Sequence, residues 1–125
     1  MLNRVVVMEE CAQISMLLDF YGQLLTKRQY EILDLHYNGD CSLGEIAGQL
    51  NISRQGVYDG VKKGKEALKA YEKKLGLVSR FTKHEKNLRS ILENLKEMKN
   101  MDNKDNLNDM IDICVKELEK VIIEL

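Results

Sequence analysis

The sequence predicts an all-α fold, and three observations predict it. No proline occurs among the 125 residues, so no position lacks the backbone N–H that a helix interior uses. Tryptophan is absent and aromatic residues are only 6%, which leaves a β-sandwich without its usual core and turn residues. Apolar residues recur at steps of three and four along the chain, the pattern of helices with one buried face. Hydrophobic residues at 44% and charged residues at 31% lie in the globular range and argue against wholesale disorder.

The first helix is expected over about residues 9–18 or 9–21, with Cys11, Ile14, Leu18 and Tyr21 on one face. Met8-Glu9-Glu10 would serve as a natural chain start, so residues 1–7 read as a poorly ordered extension. Thr26 caps a second helix, about 27–37, with Tyr30, Leu33 and Tyr37 inward, and Asn38-Gly39-Asp40 ends it. Ser42-Leu43-Gly44-Glu45 reads as a capping box opening a short third helix, about 43–50. Asn51-Ile52 breaks that helix, and Ser53 caps the next. The fourth helix is long, about 54–75, with Val57, Val61, Leu68, Tyr71 and Leu75 on one side and Gly76 as its stop.

A fifth helix, about 79–99, carries Phe81, Leu88, Ile91, Leu95 and Met98 as its stripe. A polar, turn-rich stretch at 100–106 precedes a sixth helix, about 106–123. There Leu107, Ile111, Cys114, Leu118, Val121 and Leu125 alternate steps of four and three, a coiled-coil seam. The loop is short enough for the fifth helix to be its partner in an antiparallel hairpin. The alternative is a homodimer through residues 107–125.

The charge is unevenly placed. Residues 53–92 carry 11 basic and 4 acidic groups, whereas both flanks are acidic. A basic middle suggests an element that faces a polyanion, or else a solvated face of uneven charge. Cys11, Cys41 and Cys114 are widely spaced with no CxxC pair, and His36 and His84 are the only histidines. That excludes a zinc ribbon or disulfide scaffold and fits a reducing cytosol, so a cytoplasmic protein is expected. The longest apolar run, Val5-Val6-Val7-Met8, is too short for a membrane span. No GxxxxGK[ST] cradle occurs, and neither histidine has a placed nucleophile or acidic partner. The sequence therefore gives no footing for an enzyme, a cofactor or a metal.

Residues 42–63, SLGEIAGQLNISRQGVYDGVKK, carry the most information. A short capped helix, a tight turn and a second capped helix form a helix-turn-helix. Ile46, Leu50 and Ile52 supply a shared core, and Val57 and Val61 fill the underside of the second helix. Ala47 is small where the two helices cross. The chain then divides into an extension at 1–7, a helix-turn-helix domain at 8–76, and a C-terminal helical hairpin at 77–125 packed on it or extending from it.

At these residues the chain resembles a known family. Leu25-Thr26 with Gln29, then Ser42, Leu43, Glu45, Ile46, Ala47, Leu50, Ser53, Arg54, Gln55, Val57 and Tyr58, are similar to region 4 of bacterial sigma factors. More closely, the chain resembles the YlxM-type helix-turn-helix proteins of Gram-positive bacteria. Leu18-Asp19-Phe20-Tyr21, Asp59 and Tyr71-Glu72-Lys73-Lys74-Leu75 extend that similarity over about residues 8–90, and residues 100–125 have no counterpart. The resemblance implies a sigma region 4-like bundle of the winged-helix-like DNA-binding superfamily, without an evident wing and with C-terminal helices. It also implies a transcription regulator with DNA as partner, or a component of the signal recognition particle pathway that meets the particle's RNA or protein. Gly44, Gly48, Gly56, Gly60 and Gly64 depart from the family pattern, each costing up to about 1 kcal/mol of helix propensity. On the fourth helix their expected use is close helix approach, with local flexibility as the alternative.

Candidate nucleic-acid-binding residues follow from the helix-turn-helix reading. Ser53, Arg54, Gln55 and Tyr58 occupy the start of the second helix, where a recognition helix meets base edges. Arg54 suits guanine and Gln55 suits adenine, although Arg54 could instead pair with Glu45 or Asp59. Lys62, Lys65, Lys69 and Lys73 form a ridge suited to phosphates, with Lys63 nearby. Asp59 and Glu66 oppose such an approach, and no aromatic interleaving is visible along the ridge.

Overall fold

The computed structural model describes residues 4–125, with side chains from Glu9 onward. Six α-helices follow one another: α1 Arg4–Tyr21, α2 Lys27–Leu33, α3 Leu43–Leu50, α4 Arg54–Leu75, α5 Leu77–Met98 and α6 Lys104–Glu124. No strand occurs among the described residues, and none of the helices is long and apolar enough to cross a membrane. The first helix starts at Arg4, upstream of the expected start near Glu9. Nothing between the two positions breaks a helix, and propagation past a formed turn costs little. Of the extension expected at 1–7, residues 1–3 lie outside the described residues.

Two compact units divide the chain, Met1–Val78 and Ser79–Leu125. In the first, α4 packs against α1, α2 and α3. Neighbouring residues of α2 serve two different clusters. Leu33 joins Ile14, Leu17, Leu18, Tyr21 and Leu68, while Ile32 joins Ile46 and Val57 beneath the helix-turn-helix. Val61 of α4 packs against both. The glycines of α4 explain how α2 comes so near. A Cβ at Gly60 would stand 2.6 Å from Ile32 Cδ1, and one at Gly64 would stand 2.7 Å from Leu33 Cδ1. Close approach is therefore the use of these two glycines. Gly44 and Gly48 meet no such neighbour, since a Cβ would find only Ser42 Oγ at 4.0 Å and open space, respectively.

Local chemistry sets the helix ends. Thr26 Oγ1 accepts from the Gln29 amide, and Gln29 Oε1 accepts from the Thr26 amide, a complete capping box. Ser42 and Ser53 accept from the Glu45 and Gly56 amides. The reciprocal box expected at Ser42-Glu45 is thus realised at Thr26-Gln29. Asn51 closes α3 and Gly76 closes α4, both left-handed. At the α4–α5 junction the buried Tyr21 hydroxyl donates to Glu72 Oε1 at 2.6 Å and accepts from the Leu77 amide at 3.1 Å. The Val78 amide donates to the same carboxylate oxygen. Two helix-start N–H groups that would otherwise lack partners are satisfied in this way.

The second helix does not run on as a regular α-helix to Tyr37. It passes at Asp34–Asn38 into a π-helical turn. The wider turn is tied by Gly39 N–H to Asp34 O, by Asn38 Nδ2 to Asp34 Oδ1 and by Ser15 Oγ to Asn38 Oδ1. His36 Nδ1 lies 3.0 Å from the Cys41 carbonyl, which only accepts, so Nδ1 carries the proton.

In the second unit, Lys83 Nζ lies 3.2 Å from Glu124 Oε2, setting the start of α5 beside the end of α6 in an antiparallel hairpin. Its buried seam is His84 and Ile91 against Cys114 and Val121. Half-buried Asn87, Asn94 and Met98 continue it on α5, and Leu107, Met110, Glu117 and Glu124 on α6. The expected stripes coincide with this seam at Ile91 and Met98 on α5 and at Leu107, Cys114 and Val121 on α6, whereas their other members, Phe81, Leu88, Leu95, Ile111, Leu118 and Leu125, are exposed. The apolar arc on each helix is wider than one neighbour covers, and the hairpin buries only one edge of it.

Candidate nucleic-acid interface

The interface is built on α3, the Asn51–Ser53 turn and α4. Ile46 and Val57, both fully buried, lock the two helices together over Ile32. Ser53 caps α4, which leaves its hydroxyl proton as a donor toward solvent. Arg54 and Gln55 are exposed on the first turn. Arg54 forms neither of the ion pairs weighed for it, with no carboxylate within 4.0 Å among the described residues. Gln55 is already engaged, donating from Nε2 to Asp59 Oδ1 at 3.2 Å. That bond holds Asp59 in place and occupies one of the amide donors that adenine would use.

Further along α4, Tyr58, Lys62, Lys65 and Lys69 come together in a cleft of 460 Å³. His36 and Tyr37 of the π-helical turn form its opposite wall with Leu43, and Val61 and Glu66 complete the lining. The π-helical turn brings the aromatic rings to the lysines, an association absent from the linear order of residues. The His36 ring stands edge-on to Tyr37 with centroids 4.9 Å apart, and Tyr58 is 53% exposed. The sequence does not announce His36 and Tyr37 as cleft members: Tyr37 packs against the core cluster as expected and lines the cleft as well, and no local pattern assigns His36 a role.

The three cleft lysines are not equivalent. Lys65 Nζ lies 2.6 Å from Glu10 Oε1 of α1. The hydrogen bond to Glu10 raises the Lys65 pKa against the effect of burial, with the neighbouring Tyr37 hydroxyl adding to the rise. The same bond lowers the Glu10 carboxyl below its ordinary value. Burial pushes the Tyr37 phenol upward, opposed by Lys65. Lys65 is thus a pinned and partly compensated charge. Lys62 and Lys69, one turn to either side, are exposed and have no ion pair among the described residues. Lys73 is exposed in the last turn of α4, where its charge also complements the helix dipole. Lys63, Lys73, Arg54 and Gln55 lie outside the cleft.

Comparison with known proteins is consistent with this geometry. Residues 8–111 match the UPF0122 family, described as "Putative helix-turn-helix protein, YlxM / p13 like". A UPF0122 protein of Acetivibrio thermocellus is 56% identical over 87 residues, covering 70% of this chain and 74% of the relative. One from Desulforamulus reducens is 47% identical over 85 residues, with 68% and 73% covered. One from Clostridium kluyveri is 46% identical over 86 residues, with 69% and 78% covered. The match corrects the expectation that residues 100–125 have no counterpart, since it reaches residue 111, and with its span running from α1 into α6 around an intact helix-turn-helix, the chain belongs to the UPF0122 family of YlxM-like helix-turn-helix proteins.

Proposed function

We propose that this protein is a nucleic-acid-binding regulator that grips phosphates along α4, with Tyr58 beside the gripping lysines. One observation carries the reading: Lys62 and Lys69, exposed and without a direct ion pair among the described residues, line a cleft that also holds Tyr58, Tyr37 and His36. Phosphate contacts fix position and orientation, and an adjacent tyrosine hydroxyl adds a hydrogen bond to phosphate or sugar. Arg54, without an ion pair among the described residues, is the residue for reading a guanine in duplex DNA.

Lys62, Lys69 and Lys73 each neutralising a phosphate would give a slope of log affinity against log salt of about −2.7 on duplex DNA. Lys62→Glu with Lys69→Glu should then weaken duplex binding strongly and flatten that slope by roughly 1.8, measured by fluorescence anisotropy over a salt series. An unchanged affinity and slope would refute the proposal.

A structured RNA, such as that of the signal recognition particle suggested by the family resemblance, is the second reading. The Gln55–Asp59 hydrogen bond favours it, because it spends a base-reading amide and keeps a carboxylate on the face that a major groove would meet. A-form RNA withholds its major-groove bases, so RNA binding would need the lysines yet tolerate Gln55→Ala.

A further inference from the structure

The C-terminal hairpin is built in the wrong sense for two helices that have only each other. Its seam contains His84, with both ring nitrogens buried and without a hydrogen-bond partner, and the Glu117 carboxylate, with one oxygen in the same state. Most of its aliphatic side chains lie outside that seam. Leu88, Leu92 and Leu95 on α5 are each close to half exposed. Ile111, Val115, Leu118 and Ile122 on α6 run from 38% to 65%.

These residues are not scattered. Leu88 and Leu95 stand four positions after the seam residues His84 and Ile91, and Leu92 stands one after Ile91. On α6, Ile111 and Leu118 stand four after Leu107 and Cys114, and Val115 and Ile122 stand one after Cys114 and Val121. Equal offsets from the seam of an antiparallel pair fall on the same side of the hairpin, just as matching flank positions adjoin in an antiparallel coiled coil. The two stripes therefore form one continuous apolar face. A seam plus one flanking position on every helix is the pattern of a four-helix bundle, whereas a two-helix pair needs the seam alone.

We propose that two copies of the chain associate through this face into a four-helix bundle, each α5 lying antiparallel against the partner's α6. Charge favours a second copy over an unrelated protein. Helix α5 carries five basic and three acidic residues, and α6 carries three basic and six acidic. A two-fold axis along the bundle sets each basic α5 between two acidic α6 helices. Size is sufficient as well. Two helices side by side, about 20 Å wide and about 30 Å long, present roughly 600 Å² per copy. A pair then exceeds the roughly 1,000 Å² that a specific interface needs.

Light scattering after size exclusion, on the full chain over a range of micromolar concentrations, should give twice the 14.4 kDa chain mass. Leu92→Glu and Ile122→Glu should each return the mass to one chain and raise the dissociation constant at least about tenfold. Helical circular dichroism and the thermal transition of the first unit should persist in both variants. A wild-type chain that stays monomeric at every concentration overturns the proposal, and this reading does not depend on how any variant folds. A dimer that both substitutions leave intact places the interface elsewhere and overturns it equally.

Discussion

Replacing Gly64 by alanine sets two opposed effects of known size against each other. In an exposed helix interior the change adds up to about 1 kcal/mol of stability through helix propensity. At Gly64 the new methyl would stand 2.7 Å from Leu33 Cδ1, 3.1 Å from Cγ and 3.5 Å from Cδ2. Leu33 is 0% exposed and packed among Ile14, Leu17 and Leu68, so it has no solvent to turn into and α2 must move. Overpacking of this kind costs about 1–3 kcal/mol. The net expectation for Gly64→Ala is a loss of up to roughly 2 kcal/mol. Gly48 supplies the control, since a Cβ there meets nothing within 4 Å. Gly48→Ala should therefore stabilise by roughly 0.5–1 kcal/mol. Urea unfolding followed by circular dichroism at 222 nm reads both, and the two midpoints should move in opposite directions from wild type. If Gly64→Ala stabilises as Gly48→Ala does, the steric account of the α2–α4 contact is wrong.

Three further outcomes are expected. Tyr21→Phe removes the donor to Glu72 and the acceptor for the Leu77 amide, so it should lower the urea midpoint and speed hydrogen exchange at Leu77 in NMR spectra. Glu10→Gln removes an ion pair whose carboxylate is about half exposed, and solvent screening limits its contribution to about 0.5 kcal/mol. Because the folded Glu10 pKa is depressed, that contribution is present above about pH 4.5 and lost as pH falls through the folded value. A wild-type-minus-variant stability difference that instead grows toward acid would contradict the pairing. On a selected DNA site Arg54→Ala should cost about 1–3 kcal/mol while sparing random duplex, and Gln55→Ala should cost less because Asp59 already holds the amide. Both are read by anisotropy titration.

How much of this was legible in the sequence depends on the range of the interaction. Thr26, Ser42, Ser53 and Gly76 end or begin helices through bonds made within a few residues, and all four are placed by local pattern alone. The helix-turn-helix core of Ile46, Leu50, Ile52 and Val57 is nearly as local. The π-helical turn is different, because it rests on Ser15 reaching Asn38 from another helix and on His36 meeting the Cys41 carbonyl. No periodicity announces such contacts, so Tyr37, which does pack against the core as expected, gives no sign that it also lines a cleft. The hairpin itself is legible, but only half of each stripe is. An apolar arc that spans more than one seam fits several phases, and polar Asn87, Asn94 and Glu117 hold seam places that a hydrophobic count assigns to Leu88, Leu95 and Leu118.

Gly60 and Gly64 link fold and interface. Helix α4 presents lysines outward and must also admit α2 closely enough for Leu33 and Ile32 to reach separate clusters. With a side chain at Gly60 or Gly64, α2 would stand farther from α4, and the π-helical turn that continues α2 would move with it. His36 and Tyr37 would then draw away from Lys62 and Lys69, and the 460 Å³ cleft would widen. The helix propensity forgone at these positions, up to about 1 kcal/mol each, thus sets the spacing of groups on the opposite wall of the site. Lys65, pinned by Glu10 of α1, ties a third helix to the same spacing. The cleft is in this sense a property of how α1, α2 and α4 pack, and only secondarily of the residues that line it.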